Sequence, residues 1–120
     1  MRIMIIGAST NREKFGNKAV RAFLRQGHDV FPVNPRADVV EGVRCYRGIA
    51  DVPGPIDRAS LYLPPELGLD AVRALAARGD VAELWVNPGA ESPELLAEAR
   101  RLGLNPIQAC SILAIGEHPH

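Results

Sequence analysis

The sequence predicts an α/β fold: a Rossmann-like, doubly wound, mostly parallel five-stranded sheet with helices on both faces. Three observations predict it. Short apolar runs alternate with segments of helical periodicity along the whole chain, the signature of βαβ units and a parallel sheet. The first run, Ile3-Met4-Ile5-Ile6, is continuous rather than alternating, as strands are when helices cover both faces. No repeat, linker or low-complexity stretch interrupts the pattern over 120 residues, so residues 1–120 are expected to form one domain of ordinary size.

Each element follows from its own signals. Residues 3–6 form the first strand, and Gly7 ends it. A first helix follows, with Val20, Phe23 and Leu24 at helical spacing, Gly16 or Asn17 as its cap and Gly27 after its end. Residues 29–33 form the second strand; Pro32 has no N–H, so it belongs at the strand's end or where no ladder bond is needed. Residues 34–55 are punctuated by Pro, Gly and Asp, leaving room for one short strand at 43–46 and a helical turn at 49–52. Residues 58–63 are the next strand, stopped by Pro64-Pro65, and residues 66–78 are a helix with Leu67, Ala71, Ala74 and Leu75 on one face. Residues 83–86 return as a strand. Ser92 caps a helix with Pro93 at its first position, which runs to Leu102 before Gly103, and residues 105–109 supply the last strand.

Composition narrows the function. Hydrophobic residues at 47% and charged ones at 23% describe a folding globular chain. Fourteen basic and fourteen acidic residues cancel, which argues against nucleic acid as a partner, because non-specific binding needs a summed basic field. The balance is uneven along the chain. Residues 1–36 carry seven basic residues (Arg2, Arg12, Lys14, Lys18, Arg21, Arg25, Arg36) against two acidic ones (Glu13, Asp29), and the rest carry the compensating acidic excess. That asymmetry points to a localised anion site. No apolar run is long enough to span a membrane, and the start is too short and poorly flanked for a signal peptide, so a cytoplasmic location is expected. Cys45 and Cys110 show no CxxC spacing and suggest neither a disulfide framework nor a zinc site.

In doubly wound sheets, ligands bind outside the carboxyl ends of the strands, where the strand order reverses. The loops to weigh are therefore residues 7–16, 34–36, 64–65 and 87–91. The first loop, Gly7-Ala8-Ser9-Thr10-Asn11-Arg12, leads from a strand into a helix, so its backbone N–H groups and the helix dipole can hold a phosphate. It lacks GxGxxG, having only Gly7 and then Gly16. An NAD site also needs Asp or Glu near the end of the second strand, yet Val33-Asn34-Pro35-Arg36 stands there. A cation at that place suits a phosphorylated ribose, which NADP and coenzyme A both possess.

Gly7-Ala8-Ser9, Val33-Asn34-Pro35-Arg36 and Tyr62-Leu63-Pro64-Pro65, each after a strand, together resemble the CoA-binding domain family. These are small stand-alone proteins similar to the nucleotide-binding domain of the succinyl-CoA synthetase alpha subunit. The resemblance runs over nearly the whole chain, including Gly103-Leu104-Asn105-Pro106 and Ala109-Cys110-Ser111. It implies coenzyme A or an acyl-CoA as the ligand, with pyrophosphate at Gly7, Ala8, Ser9 and Asn11 and the start of the first helix. It further implies that Val33, Asn34 and Pro35 line the adenosine pocket, that Arg36 meets a phosphate, and that Leu63, Pro64 and Pro65 flank the nucleotide or the pantetheine arm. Arg12 and Lys18 flank the phosphate loop as further cations. The synthetase's second domain and phosphorylated histidine have no counterpart in these residues, so ligase chemistry is not expected.

Catalysis needs a nucleophile, a base and an orienting group in reach of one another. His28 follows a helix-ending glycine, His118 and His120 lie in the tail, and Cys110-Ser111 lacks a GxSxG context. Glu91, in the loop Asn87-Pro88-Gly89-Ala90-Glu91, is the remaining candidate base. The reading therefore leans towards a binding or regulatory module and away from an enzyme. A small NADP-dependent oxidoreductase or another Rossmann-type enzyme is the alternative. A domain of this size buries only about two-thirds of its unfolded surface, so a homo-oligomer is a further expectation.

Overall fold

Why the first apolar run is unbroken becomes clear in the computed structural model, which describes residues 1–119. Strand β1 (Arg2–Ile6) lies between β2 (Asp29–Val33) and β5 (Ile56–Leu61), with β6 (Val81–Val86) and β7 (Pro106–Gln108) beyond, in the order β2-β1-β5-β6-β7. All four pairings are parallel. Ile3 and Ile5 face α1 (Phe15–Arg25) and α4 (Ser111–Ala114), where they pack with Val20, Phe23 and Ile112. Met4 and Ile6 face α2 (Pro65–Arg78) and α3 (Pro93–Arg101), where they pack with Val72, Leu75 and Leu95. A period-two strand buried on both sides must be apolar at every position.

The chain leaves β1 towards one side of the sheet and returns to the other through β5, so the order reverses between these two strands. Their carboxyl ends part there, and the loops after them diverge above and below the sheet.

Several boundaries differ from the sequence expectations for physical reasons. Helix α1 begins at Phe15 behind Lys14, whose side chain makes no capping bond. Asn17 is not the cap: it is fully buried in the first turn, donating to the Ser9 carbonyl at 2.8 Å and to Glu41 at 3.0 Å. Pro32 sits inside β2, which is the sheet's edge; its carbonyl accepts from the Tyr46 N–H on the outer side, so its missing N–H costs no bond to β1. The strand expected at 43–46 is the two-residue β4 (Val43–Arg44), paired antiparallel with β3 (Val39–Val40). Tyr46 instead bridges Val33 in parallel, extending the sheet past β2. A 3-10 turn, Ile49–Asp51, follows where a helical turn was expected. Ser92 caps α3 as anticipated, its Oγ accepting from the Leu95 N–H at 3.1 Å. The last strand is shorter than 105–109, and α4 follows it after Ala109 and Cys110.

Candidate functional site

A cleft of about 970 Å³ opens at the reversal point. Its floor is the end of β1 with Gly7, Ala8 and Ser9; one wall is Glu13, Lys14, Phe15 and Gly16. The other walls come from Val33, Asn34 and Pro35, from Arg47, Gly48 and Ile49, and from Tyr62, Leu63 and Pro64. Leu67, Asp70, Ala71 and Ala74 of α2 and the tip Pro88, Gly89 and Ala90 complete it.

The floor is shaped by two glycines that the sequence sets too far apart for a dinucleotide fingerprint. Gly7 has φ +90°, and a Cβ there would press on the Tyr62 carbonyl at 3.1 Å. A Cβ on Gly16 would fall 2.1 Å from the Gly7 carbonyl oxygen, so the first turn of α1 rests directly on the β1–α1 loop. Close backbone approach and helix-on-strand packing are the tasks that a glycine-rich loop performs in nucleotide sites. In the first turn of α1 the Asn17 N–H donates to the Lys14 carbonyl at 3.1 Å, whereas the Phe15 and Gly16 amides have no carbonyl one turn back to pair with, and the Lys14 side chain does not cap them. Phe15 and Gly16, which carry such amides, line the cleft.

The polar residues of the loops hold the loops. Gly7 and Ala8 both donate to the Val33 carbonyl at 3.2 Å, and the Asn34 side chain donates to the Ala8 carbonyl at 2.7 Å. Ser9 Oγ accepts from the Asn11 N–H, and Asn11 Oδ1 from the Glu13 N–H, each at 3.0 Å. Thus the loops after β1 and β2 form one braced unit, with Asn34 as the clasp.

Of the residues the sequence singled out, the cleft brings together Gly7, Ala8, Ser9, Val33, Asn34, Pro35, Leu63 and Pro64. Asn11, Arg12, Lys18, Arg36 and Pro65 do not line it. Arg12 lies 3.5 Å from Glu41, Lys18 donates to the Pro119 carbonyl at 3.0 Å, and Arg36 is exposed, its N–H bound by Asn34 Oδ1 at 2.7 Å. The cations on the wall are Lys14 and Arg47. Lys14 belonged to the basic excess noticed in the sequence; Arg47 carried no signal, because it falls in the stretch that sequence patterns describe least well.

A buried polar cluster links β5, the loop after β6 and the start of α4. Ser60 and Ser111 share a hydrogen bond of 2.7 Å, Asn87 donates to Ser60 at 2.8 Å and to the Leu61 carbonyl at 2.9 Å, and the Ser111 N–H donates to Asn87 at 2.9 Å. The Tyr62 hydroxyl is buried beside it without a partner in hydrogen-bond geometry. Burial pushes that phenol up to about 12, and the nearby Ser60 and Ser111 hydroxyls offset the effect only in part. Burial also pushes the Cys45 thiol up, which leaves it a poor nucleophile. Glu91 lies outside the cleft wall and accepts from the Gly89 N–H at 3.0 Å, stiffening the loop that bears it. His28 sits at the opposite edge of the sheet, edge-on to Phe23 and 3.0 Å from the Met1 amino group; His120 lies outside the described residues. Among the described residues no cluster of His, Cys, Asp and Glu could hold a metal, and no helix is long and apolar enough to cross a membrane.

Fold and cleft together define a small Rossmann-like α/β domain with a broad cleft at its strand-order reversal. The chain belongs to the CoA-binding domain family, whose profile matches residues 1–117. It is 30% identical over 102 residues to the ADP-forming acetate–CoA ligase II of Archaeoglobus fulgidus, covering 82% of this chain and 15% of that protein. A trans-feruloyl-CoA synthase from an unknown prokaryotic organism is 34% identical over 79 residues, covering 64% of this chain and 11% of that protein. The chain therefore spans only a small part of those relatives. A solved structure, a conserved hypothetical protein from Pyrococcus furiosus, superposes with a TM-score of 0.85 at 33% identity, covering 94% of this chain and 97% of that one.

Proposed function

We propose that this domain binds coenzyme A or an acyl-CoA in the cleft and acts as a binding or regulatory module without ligase chemistry of its own. The observation that carries the reading is the Gly7–Gly16 contact, which lays uncapped helix amides against a cleft large enough for a nucleotide. Membership of the family supports the same ligand. In this reading Gly7, Ala8, Ser9 and the start of α1 take the pyrophosphate, with Lys14 as a cation on the wall. Val33, Asn34 and Pro35 face the adenosine, and Leu63 and Pro64 border the arm. Bound coenzyme A would supply a thiol for carrying acyl groups; the chain's residues supply its orientation.

The test is a thermal-shift and calorimetric comparison of CoA, acyl-CoAs, NADP and NAD. Saturation at about 100 times the dissociation constant stabilises by about 2.7 kcal/mol, so CoA is expected to raise the melting temperature by several degrees. A shift with NADP and none with millimolar CoA would sink the reading in favour of a small NADP-dependent oxidoreductase. Incubation with acyl-CoA is expected to yield no multiple-turnover hydrolysis; turnover lost on Glu91→Gln or Cys110→Ala would contradict the absence of chemistry.

A further inference from the structure

We propose that Arg47 reads the phosphate on the ribose of the bound nucleotide, leaving Asp38 to do so; the assignment rests on the CoA-binding reading above. Rossmann-type domains recognise ribose substituents at the carboxyl end of the second strand. Here that end is not finished by the strand's own sequence. Tyr46 bridges Val33 in parallel, the Asn34 N–H donates to the Tyr46 carbonyl at 2.9 Å, and Tyr46 donates to the Pro32 carbonyl at 2.8 Å. Arg47, the next residue, therefore emerges beside Asn34 at the carboxyl edge, although it lies more than ten residues further along the chain.

Arg47 stands on the wall between the cleft and a smaller cavity that contains Asp38. Its guanidinium is bound to Asp38 at 2.8 Å, and the two side chains are 63% and 79% exposed. An exposed pair of this kind is worth little, about 0.2 to 1 kcal/mol, so exchanging one carboxylate oxygen for a dianionic phosphate is favourable. A guanidinium fork also matches a phosphate face better than a monodentate partner does. Arg36 lies two residues after Asn34 but is absent from the cleft wall, because Asn34 Oδ1 takes its N–H and turns the chain outwards. Arg47 thus occupies the role that sequence order suggested for Arg36.

Calorimetry with CoA and dephospho-CoA on the wild type, Arg47→Ala, Arg47→Lys, Arg36→Ala and Asp38→Asn tests this. Arg47→Ala is expected to weaken CoA on the order of 10- to 100-fold and dephospho-CoA at most about twofold, with an unchanged melting temperature. Arg47→Lys should fall between, keeping the charge without the fork. Asp38→Asn should tighten CoA by roughly two- to fivefold by removing the competitor. Equal losses for both ligands, or a selective loss in Arg36→Ala instead, would overturn the assignment while CoA binding itself stands. An unchanged CoA affinity in Asp38→Asn would overturn the release from Asp38. A wild type that binds neither ligand would overturn the CoA-binding reading and this assignment with it.

Discussion

The two edges of the sheet use the same residue types for opposite ends. At the amino edge the cations are consumed by the fold: Arg2 donates to the carbonyls of Pro53 and Pro55 and lies 4.4 Å over the Phe31 ring. Arg78, almost buried, donates to the carbonyls of Ile49 and Val52 and pairs with Asp80. Arg25 at the end of α1 binds Glu117 at 2.7 Å. At the carboxyl edge, by contrast, Lys14 and Arg47 are exposed on a cleft wall, and Phe15 and Leu67, each more than half exposed, stand at the same cleft. The contrast teaches that a basic excess in sequence does not mark an anion site by itself. Of the seven cations in residues 1–36, Lys14 alone lines the cleft.

The largest expected effect that would break this contrast is at Gly16. A Cβ there meets the Gly7 carbonyl oxygen, a backbone atom that cannot swing aside. Gly16→Ala should cost roughly 3 kcal/mol by overpacking and should lower CoA affinity together with the melting temperature. A variant as stable as the wild type would show that the loop yields more freely than its bracing implies.

Next in size is the buried Tyr62 phenol. The folded chain holds the Tyr62 proton more tightly than the unfolded chain does, so the stability this contributes is complete below about pH 10 and is lost as pH rises through about 12. The loss should approach roughly 2 kcal/mol, read from denaturant melts across that window, and Tyr62→Phe should remove it. The amino edge supplies a milder counterpart: Arg2→Ala should cost about 1 to 1.5 kcal/mol and leave CoA affinity unchanged, since its partners are carbonyls far from the cleft. The smallest effect is the acid limb at Glu117. Hydrogen bonds from Arg25 and Gln26 hold its carboxyl below the usual range, so that contribution is present above the unfolded value near 4.5 and fades as pH falls through the folded one. Glu117→Gln should flatten that limb slightly, by melting temperature against pH.

What could be read from the sequence followed the strength of periodic signals. Four strands of five or six residues and the three longer helices are legible because buried faces impose a period, and Ser92-Pro93 is legible because capping is local chemistry. The β3–β4 hairpin and the four-residue α4 are too short to show a period. Gly7, Ala8, Ser9 and Asn34 were legible as cleft residues because they follow directly on the ends of β1 and β2. Lys14's place on the wall, Arg47's arrival beside β2 and the Gly7–Gly16 contact were not, since each depends on tertiary packing between segments distant or misaligned in sequence.

Whether the open carboxyl edge is the CoA site and the closed amino edge is scaffold is decided by amide chemical-shift mapping of the labelled chain during a CoA titration. Saturable shifts are expected at Gly7, Ser9, Phe15, Gly16, Asn34, Gly48 and Gly89, with Gln26, His28, Gly54 and Gly79 unmoved. Shifts centred on the amino edge, or none at millimolar CoA, would contradict that expectation.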